Sequence, residues 1–298
     1  MRFGLCCLFY KENITFKTSK ASFLSKKELS FRRKYISDII FHNCQNLKKA
    51  LVYCFENNIG SFRVTSRFFP LYTHPEVGYK IEDLQDAMNI FDLLKDIKVY
   101  AKEKDIRLTM HPDQFVVLNS PTSLVVENSI KELEYHGYLA ALIGADVINI
   151  HAGGAYNDKK LALLRLKDNL KYLSKPVIDK LTLENDDRSF TPSDLLGFCT
   201  KEKISFVYDV HHHRCLKDSL SEEEVTKRAI ATWNREPLFH LSSPKDGWEA
   251  KNIKKHADFI DVKDFPKCWK KYKNITIEIE AKAKEIAILQ LMRDLDFS

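Results

Sequence analysis

The sequence predicts a closed (β/α)8 barrel of the TIM type, and three observations predict it. Strand-like and helix-like segments alternate from end to end, with eight strand candidates in all. The length, 298 residues, is normal for one such barrel and long for two ordinary domains. The strand-like runs also finish in imidazole or carboxylate: Leu108-Thr109-Met110-His111, Val147-Ile148-Asn149-Ile150-His151, Leu181-Thr182-Leu183-Glu184, Val207-Tyr208-Asp209-Val210-His211-His212, Pro237-Leu238-Phe239-His240 and Ile275-Thr276-Ile277-Glu278-Ile279-Glu280. A barrel of parallel strands gathers its C-terminal ends at one mouth, so these residues would meet there although the sequence scatters them.

The elements follow in order. Arg2–Leu8 is the first strand candidate, followed by an irregular stretch, Tyr10–Ser30. Asn46–Asn57 places Leu47, Leu51, Val52 and Phe55 on one helical face. The second strand is Ser61–Thr65, with a loop over Ser66–Lys80. Ile81–Lys104 repeats Leu84, Met88, Ile90, Leu94 and Ile97 at helical spacing and leads into the strand Ile106–Met110. The helical segments Ser123–Ile143, Asp158–Leu173, Thr191–Lys203 and Ser221–Trp233 alternate with the strands Val147–Ile150, Lys180–Glu184 and Ser205–Val210. Thr191-Pro192 puts proline in a first turn, and Ser221 ahead of Glu222, Glu223 and Glu224 is a cap with acidic residues behind it. Leu238–Leu241 and Ile275–Glu280 complete the strands, Ala281–Leu295 is the last helix, and Lys254–Tyr272 is polar and broken by Pro266. No linker or second composition regime appears, so residues 1–298 are expected to form a single domain. The absence of G-x-G-x-x-G and of G-x-x-x-x-G-K-[ST] argues against an open nucleotide-binding sheet and a nucleotide cofactor.

Hydrophobic residues make up 44%, enough for a large core. Lys and Arg outnumber Asp and Glu by 47 to 41, a formal +6 that favours an anionic partner such as nucleic acid. Seven cysteines, an odd number with no C-x-x-C pair, suit a reduced compartment. The apolar start Met1–Tyr10 is too short for a signal peptide, and no run approaches the roughly 20 apolar residues a membrane helix needs. A soluble, cytoplasmic, monomeric protein is expected.

Each motif has a plain reading beside the chemical one. His111-Pro112-Asp113-Gln114-Phe115 is a turn whose proline fixes the chain as it leaves the barrel. Its Gln-Phe tip pairs an amide with a ring, suited to bonding and stacking on a nucleobase, or Phe115 simply anchors the loop. His151-Ala152-Gly153-Gly154 is a βα turn or a place where backbone approaches an anion or metal. Glu184 ends an apolar strand, where a carboxylate needs a salt bridge or a metal. Asp209-Val210-His211-His212-His213 is the most specific element, internal and directly after an apolar strand, and favours a metal site. His240 alone reads as a core histidine. Glu278 and Glu280 share one face of the last strand; with Ile275, Ile277 and Ile279 outward, Glu280 points into the barrel near its top and Glu278 one layer below. His74 and His256 lie in a loop or helix start, while His42 and His136 read as structural or exposed. No G-x-S-x-G element supports a protein nucleophile.

Taken together, Phe62-Arg63-Val64-Thr65-Ser66 with Pro70 and His74, His111-Pro112-Asp113-Gln114, His151-Ala152-Gly153-Gly154, Leu183-Glu184-Asn185-Asp186, Asp209-Val210-His211-His212, His240-Leu241-Ser242 and Glu280-Ala281-Lys282 resemble the UV damage endonuclease family, the UvsE/UVDE type of DNA repair enzyme. The resemblance covers essentially the whole chain. It implies a barrel related to the endonuclease IV type, with two or three divalent metal ions at the mouth, manganese expected and zinc or iron as alternatives. It further implies that His111, His151 and Glu184 hold one metal. Glu184 would bridge to a second, held also by Asp209, His240 and Glu280, while His212 and His256 would serve a third. Glu184, Glu280 and His240 would carry catalysis, and Gln114 and Phe115 would probe the lesion. Arg63, Ser66, His74 and His211 would support the ligands or contact phosphates. The family usually has tyrosine where Phe115 stands, which keeps the ring and drops the hydroxyl.

The activity so implied is a metal-dependent nick in damaged double-stranded DNA, immediately 5′ of pyrimidine dimers and 6-4 photoproducts. The rivals are an abasic-site endonuclease of the endonuclease IV type, a metal-dependent sugar isomerase or epimerase, and a damage sensor without catalysis. The isomerase reading gives no use to Gln114-Phe115 or to the basic balance.

Overall fold

In the computed structural model, which describes residues 1–297, eight parallel strands pair in sequence order and close into a TIM barrel. The strands are β1 (Arg2–Cys6), β2 (Ser61–Val64), β3 (Arg107–Met110), β4 (Val147–His151), β5 (Leu181–Glu184), β6 (Ser205–Asp209), β7 (Leu238–Leu241) and β8 (Thr276–Ile279). Closure comes from β1 beside β8, with Gly4 opposite Glu278. The helices are α1 (Ala21–Leu24), α2 (Leu29–Glu56), α3 (Ala87–Glu103), α4 (Ser123–Ile143), α5 (Lys159–Leu170), α6 (Lys175–Ile178), α7 (Pro192–Glu202), α8 (Val210–Cys215), α9 (Glu222–Ile230) and α10 (Lys284–Asp294). No helix among the described residues is long and apolar enough to cross a membrane.

Most elements fall where hydrophobic period and capping put them. Thr191 accepts from Asp194 N while the Asp194 carboxylate accepts from Thr191 N, a capping box that starts α7. Ser221 accepts from Glu224 N at 3.2 Å and starts α9. Helix α3 begins at Ala87 rather than Ile81, after a 3-10 turn, and leaves Met88 exposed rather than on its apolar face. Three further places differ. Helix α2 begins at Leu29, not near Asn46, and swallows part of the stretch expected to be irregular. Its apolar stripe of Ile36, Ile40, Cys44, Leu47 and Leu51 is interrupted by buried Asn43 and Asn46, which disguise the period. Those amides are used: Asn46 Nδ2 donates to Thr15 O, and Asn43 Nδ2 to Lys17 O and Phe68 O. After β6 the chain enters the short helix α8 at Val210, because Asp209 accepts from His212 N at 2.7 Å and caps it. The last crossover holds two 3-10 turns, Val262–Asp264 and Lys267–Lys271. Pro266 stops a helix there, and Trp269 secures the segment by stacking on Phe239 at 5.0 Å.

Period-two alternation sends one face of every strand into the barrel. Near the bottom, Arg107 pairs with Asp146 and Arg2 with Glu236, below a small apolar plug of Val147, Val207 and Leu238. The next level is polar and buried: Ser61, Thr109, Asn149, Thr182 and Glu278. Gly4 makes room for that level, because a Cβ there would stand 2.9 Å from Glu278 Cγ and 3.2 Å from Ser61 Cβ. The level above it opens to the mouth.

Candidate metal centre

The mouth gathers the eight residues predicted as ligands. Glu184, 1% exposed at the end of β5, is the hub. Its Oε2 lies 3.1 Å from His111 Nε2 and 4.0 Å from His151 Nε2, and its Oε1 lies 3.0 Å from His240 Nδ1 and 3.4 Å from His212 Nδ1. Asp209 Oδ2 sits 3.5 Å from His212 Nδ1. Glu280 Oε1 lies 3.6 Å from His240 Nδ1, and its Oε2 lies 3.8 Å from His256 Nδ1. The strand register explains the approach: His151 pairs with Glu184 across β4 and β5, and Asp209 with His240 across β6 and β7.

Three groups have ligand atoms within 4.8 Å of one another: His111, His151 and Glu184; Glu184, Asp209 and His212; Asp209, His240 and Glu280. Two carboxylates, Glu184 and Asp209, each belong to two groups. His212 thus lies beside Glu184 and Asp209 while its ring stays 6.4 Å from that of His256. The donor set fits divalent metal on independent grounds. Asp209 Oδ2 and His151 Nδ1 are buried without a hydrogen-bond partner, a costly state for polar atoms that a cation and its water would relieve. Imidazole and carboxylate without thiolate suit manganese, zinc and iron alike.

The electrostatics follow from burial against pairing. Burial pushes the Glu184 carboxyl up, but the imidazoles of His240 and His151 and the bonds from His111 and His212 hold it well below the ordinary carboxylate range. Asp209 goes the other way: burial raises it, and His212 only partly offsets this. A level lower, burial opposes ionisation of Glu278, yet Arg63, His240 and Thr109 bring it down to about 2.

Arg63, on β2, is 7% exposed. It is enclosed in the barrel, and its guanidinium faces carboxylates. Nε donates to Glu278 Oε2, Nη1 donates to Glu280 Oε1 at 2.6 Å, and Nη2 lies 2.8 Å from His240 Nε2. His211 is fully buried, with neither ring nitrogen bonded, 5.2 Å from the His256 ring and 5.3 Å from Trp248. Ser66 and His74 stand apart from the cluster on the loop after β2, where His74 Nδ1 accepts from Glu76 N and Val77 N. Gln114 and Phe115 are exposed at the tip of the loop after β3, Phe115 by 76%. His74 and Phe115 line one groove.

Further residues, to which the sequence reading assigns no role, support the ligands. Asn149 Nδ2 donates to Glu184 Oε2, and Thr182 Oγ1 donates to Asn149 Oδ1 at 2.9 Å, fixing the hub carboxylate. Asn185 Nδ2 donates to Asp209 O and its Oδ1 accepts from Asp209 N, locking the exit of β6. Thr109 donates to Glu278. A signal existed for three: Asn149, Thr182 and Thr109 each lie two residues before a mouth residue, hence on the same inward face.

Comparison with known proteins gives the family. The UV DNA damage endonuclease of Bacillus cereus (strain Q1) is 36% identical over 283 residues, covering 91% of this chain and 86% of the relative. The crystal structure of SacUVDE superposes with a TM-score of 0.88 at 29% identity, each chain covered completely. Endonuclease IV from Thermus thermophilus shares the fold, with a TM-score of 0.63, 12% identity, and 99% and 98% of the two chains covered. The sequence profile of the UV-endonuclease UvdE family matches residues 1–298. With that match from end to end, the chain belongs to the UV-endonuclease UvdE family.

Proposed function

We propose that this endonuclease nicks the backbone of damaged duplex DNA immediately 5′ of UV photoproducts, using two or three divalent metal ions, manganese first among them. The observation that carries the reading is the convergence of seven candidate ligands in three groups at one mouth, with His256 3.8 Å from Glu280, beside an exposed Gln114-Phe115 tip. His111, His151, Glu184, Asp209, His212, His240, His256 and Glu280 would hold the ions. Bound there, divalent cations supply an acidified water and neutralise the phosphate.

The chain's own residues do the rest. Asn149 and Thr182 keep the Glu184 carboxylate turned toward His111 and His240. Arg63 neutralises Glu278 and steadies Glu280, so that the last ligand is presented from a rigid floor. Phe115, largely solvated in the free protein, offers its face to unstacked bases. Damaged bases are cheaper to extrude than intact ones, whose unstacking costs a few kcal/mol.

The test is incubation with a labelled duplex carrying one thymine dimer, with and without manganese, beside an abasic-site duplex. Manganese-dependent cleavage on the 5′ side of the dimer, leaving a 3′-hydroxyl and a 5′-phosphate, is expected. Cleavage of the abasic duplex alone would instead make the chain an abasic-site endonuclease.

A further inference from the structure

One short segment carries a large positive excess. Residues 17–34 hold seven Lys and Arg against the single acidic Glu28, an excess equal to that of the whole chain. The remaining 40 cations and 40 carboxylates cancel. This segment runs from the loop after β1 through α1 into the first turns of α2. Lys34 is paired with Asp38, Arg33 approaches Asp83 at 3.9 Å, and Arg32 bonds the carbonyls of Ser25 and Lys27. Lys17, Lys20, Lys26 and Lys27 are exposed and form no ion pair among the described residues.

Position and rigidity separate this segment from an ordinary solvated face. It leaves the barrel at the mouth, where Thr18 and Ser19 share a cavity with Ser66, Leu71 and Thr73. Leu71 and Thr73 also line the groove that holds His74 and Phe115, so the two adjoin as one furrow leading from Phe115 to Thr18 and Ser19, which lie between Lys17 and Lys20 in the chain. The backbone is pinned: buried Asn43 accepts from Lys17 N at 2.7 Å and donates to Lys17 O and Phe68 O. Lys27 Nζ stands 5.2 Å and 5.5 Å from the ring centres of Phe23 and Phe31, which are themselves exposed.

We propose that residues 17–34 form an electrostatic shelf that grips backbone phosphates of the duplex flanking the lesion, at the far end of the furrow from Phe115. The inference rests on the reading of this chain as a DNA endonuclease and adds a second surface to it. Lysines act here as point charges, so the grip is independent of sequence and of damage.

The experiment measures binding of the full chain to a labelled undamaged duplex by fluorescence anisotropy across about 50 to 200 mM salt. The triple substitution Lys20→Gln, Lys26→Gln and Lys27→Gln should make the slope of log K against log salt shallower by about 2.7, or about 0.9 for each phosphate no longer neutralised. Binding to a dimer-containing duplex should weaken by the same factor. A matched triple at the opposite rim, Lys102→Gln, Lys201→Gln and Lys273→Gln, should leave the slope as in the wild type. A wild-type slope in the first variant, or equal losses in both, overturns the shelf. The two readings fail separately: a shallower slope without any nicking supports the shelf and sinks the nicking activity, whereas normal nicking with an unchanged slope sinks the shelf alone.

Discussion

Arg63 and Glu280 meet across the closure of the barrel, Nη1 donating to Oε1 at 2.6 Å, and the same guanidinium also engages Glu278 one level down. One cation therefore serves two carboxylates at the floor of the mouth. Replacing it with methionine leaves a buried carboxylate without its partner, and such losses cost about 3–5 kcal/mol. Arg63→Met should show that loss in urea unfolding of metal-free protein, and Arg63→Met with Glu278→Gln should recover part of it.

Acid should reveal Glu278 separately. Its folded carboxyl is held down to about 2, below its ordinary 4.5. The stability it contributes is present above 4.5 and is lost as pH falls toward about 2. Glu278→Gln should flatten the dependence of unfolding free energy on pH in that window and leave the slope near neutrality unchanged. An unaltered acid limb would remove Glu278 from the account.

Glu184→Gln should abolish nicking while binding to damaged duplex persists. Several kcal/mol of transition-state stabilisation correspond to a loss of about 10³-fold or more in single-turnover rate. Normal nicking by this variant in a metal-defined assay would refute the assignment of Glu184.

Phe115→Ala should leave stability within about 0.5 kcal/mol, as expected for so exposed a ring. Preference for damaged over intact duplex should fall about tenfold, in line with about 1–3 kcal/mol per stacked base. Phe115→Tyr should keep that preference. The measurement is the ratio of the two dissociation constants.

Chelation should stop nicking, and manganese should restore it. Cations that bind only the folded chain should also raise Tm, by the equivalent of about 2.7 kcal/mol when present at about a hundred times Kd. Elemental analysis of the loaded protein should find two or three equivalents.

Much of this was legible because the barrel obeys two short periods. Strand ends at His111, His151, Glu184, Asp209 and His240 could be read from alternation, and closure of the sheet did the remaining work. Glu278 and Glu280 were separable by period two alone. The start of α2 was hidden because Asn43 and Asn46 sit on its buried face to hold the backbone of the preceding loop, a tertiary duty that no local pattern announces. Asn185 escaped for the same reason: it bonds the backbone of a different strand, which only the assembled sheet brings near. For Arg63 the sequence leaves ligand support and phosphate contact both open, because its carboxylate partners lie 215 and 217 positions away in the chain.

The missing side chain at Gly4 ties geometry to charge. Any larger residue there would press on Glu278 Cγ, and a displaced Glu278 would loosen the guanidinium that steadies Glu280. A methyl group on the first strand would thus be felt at the eighth as an altered electric field. Substitutions at positions 4, 63 and 278 should therefore be coupled rather than additive.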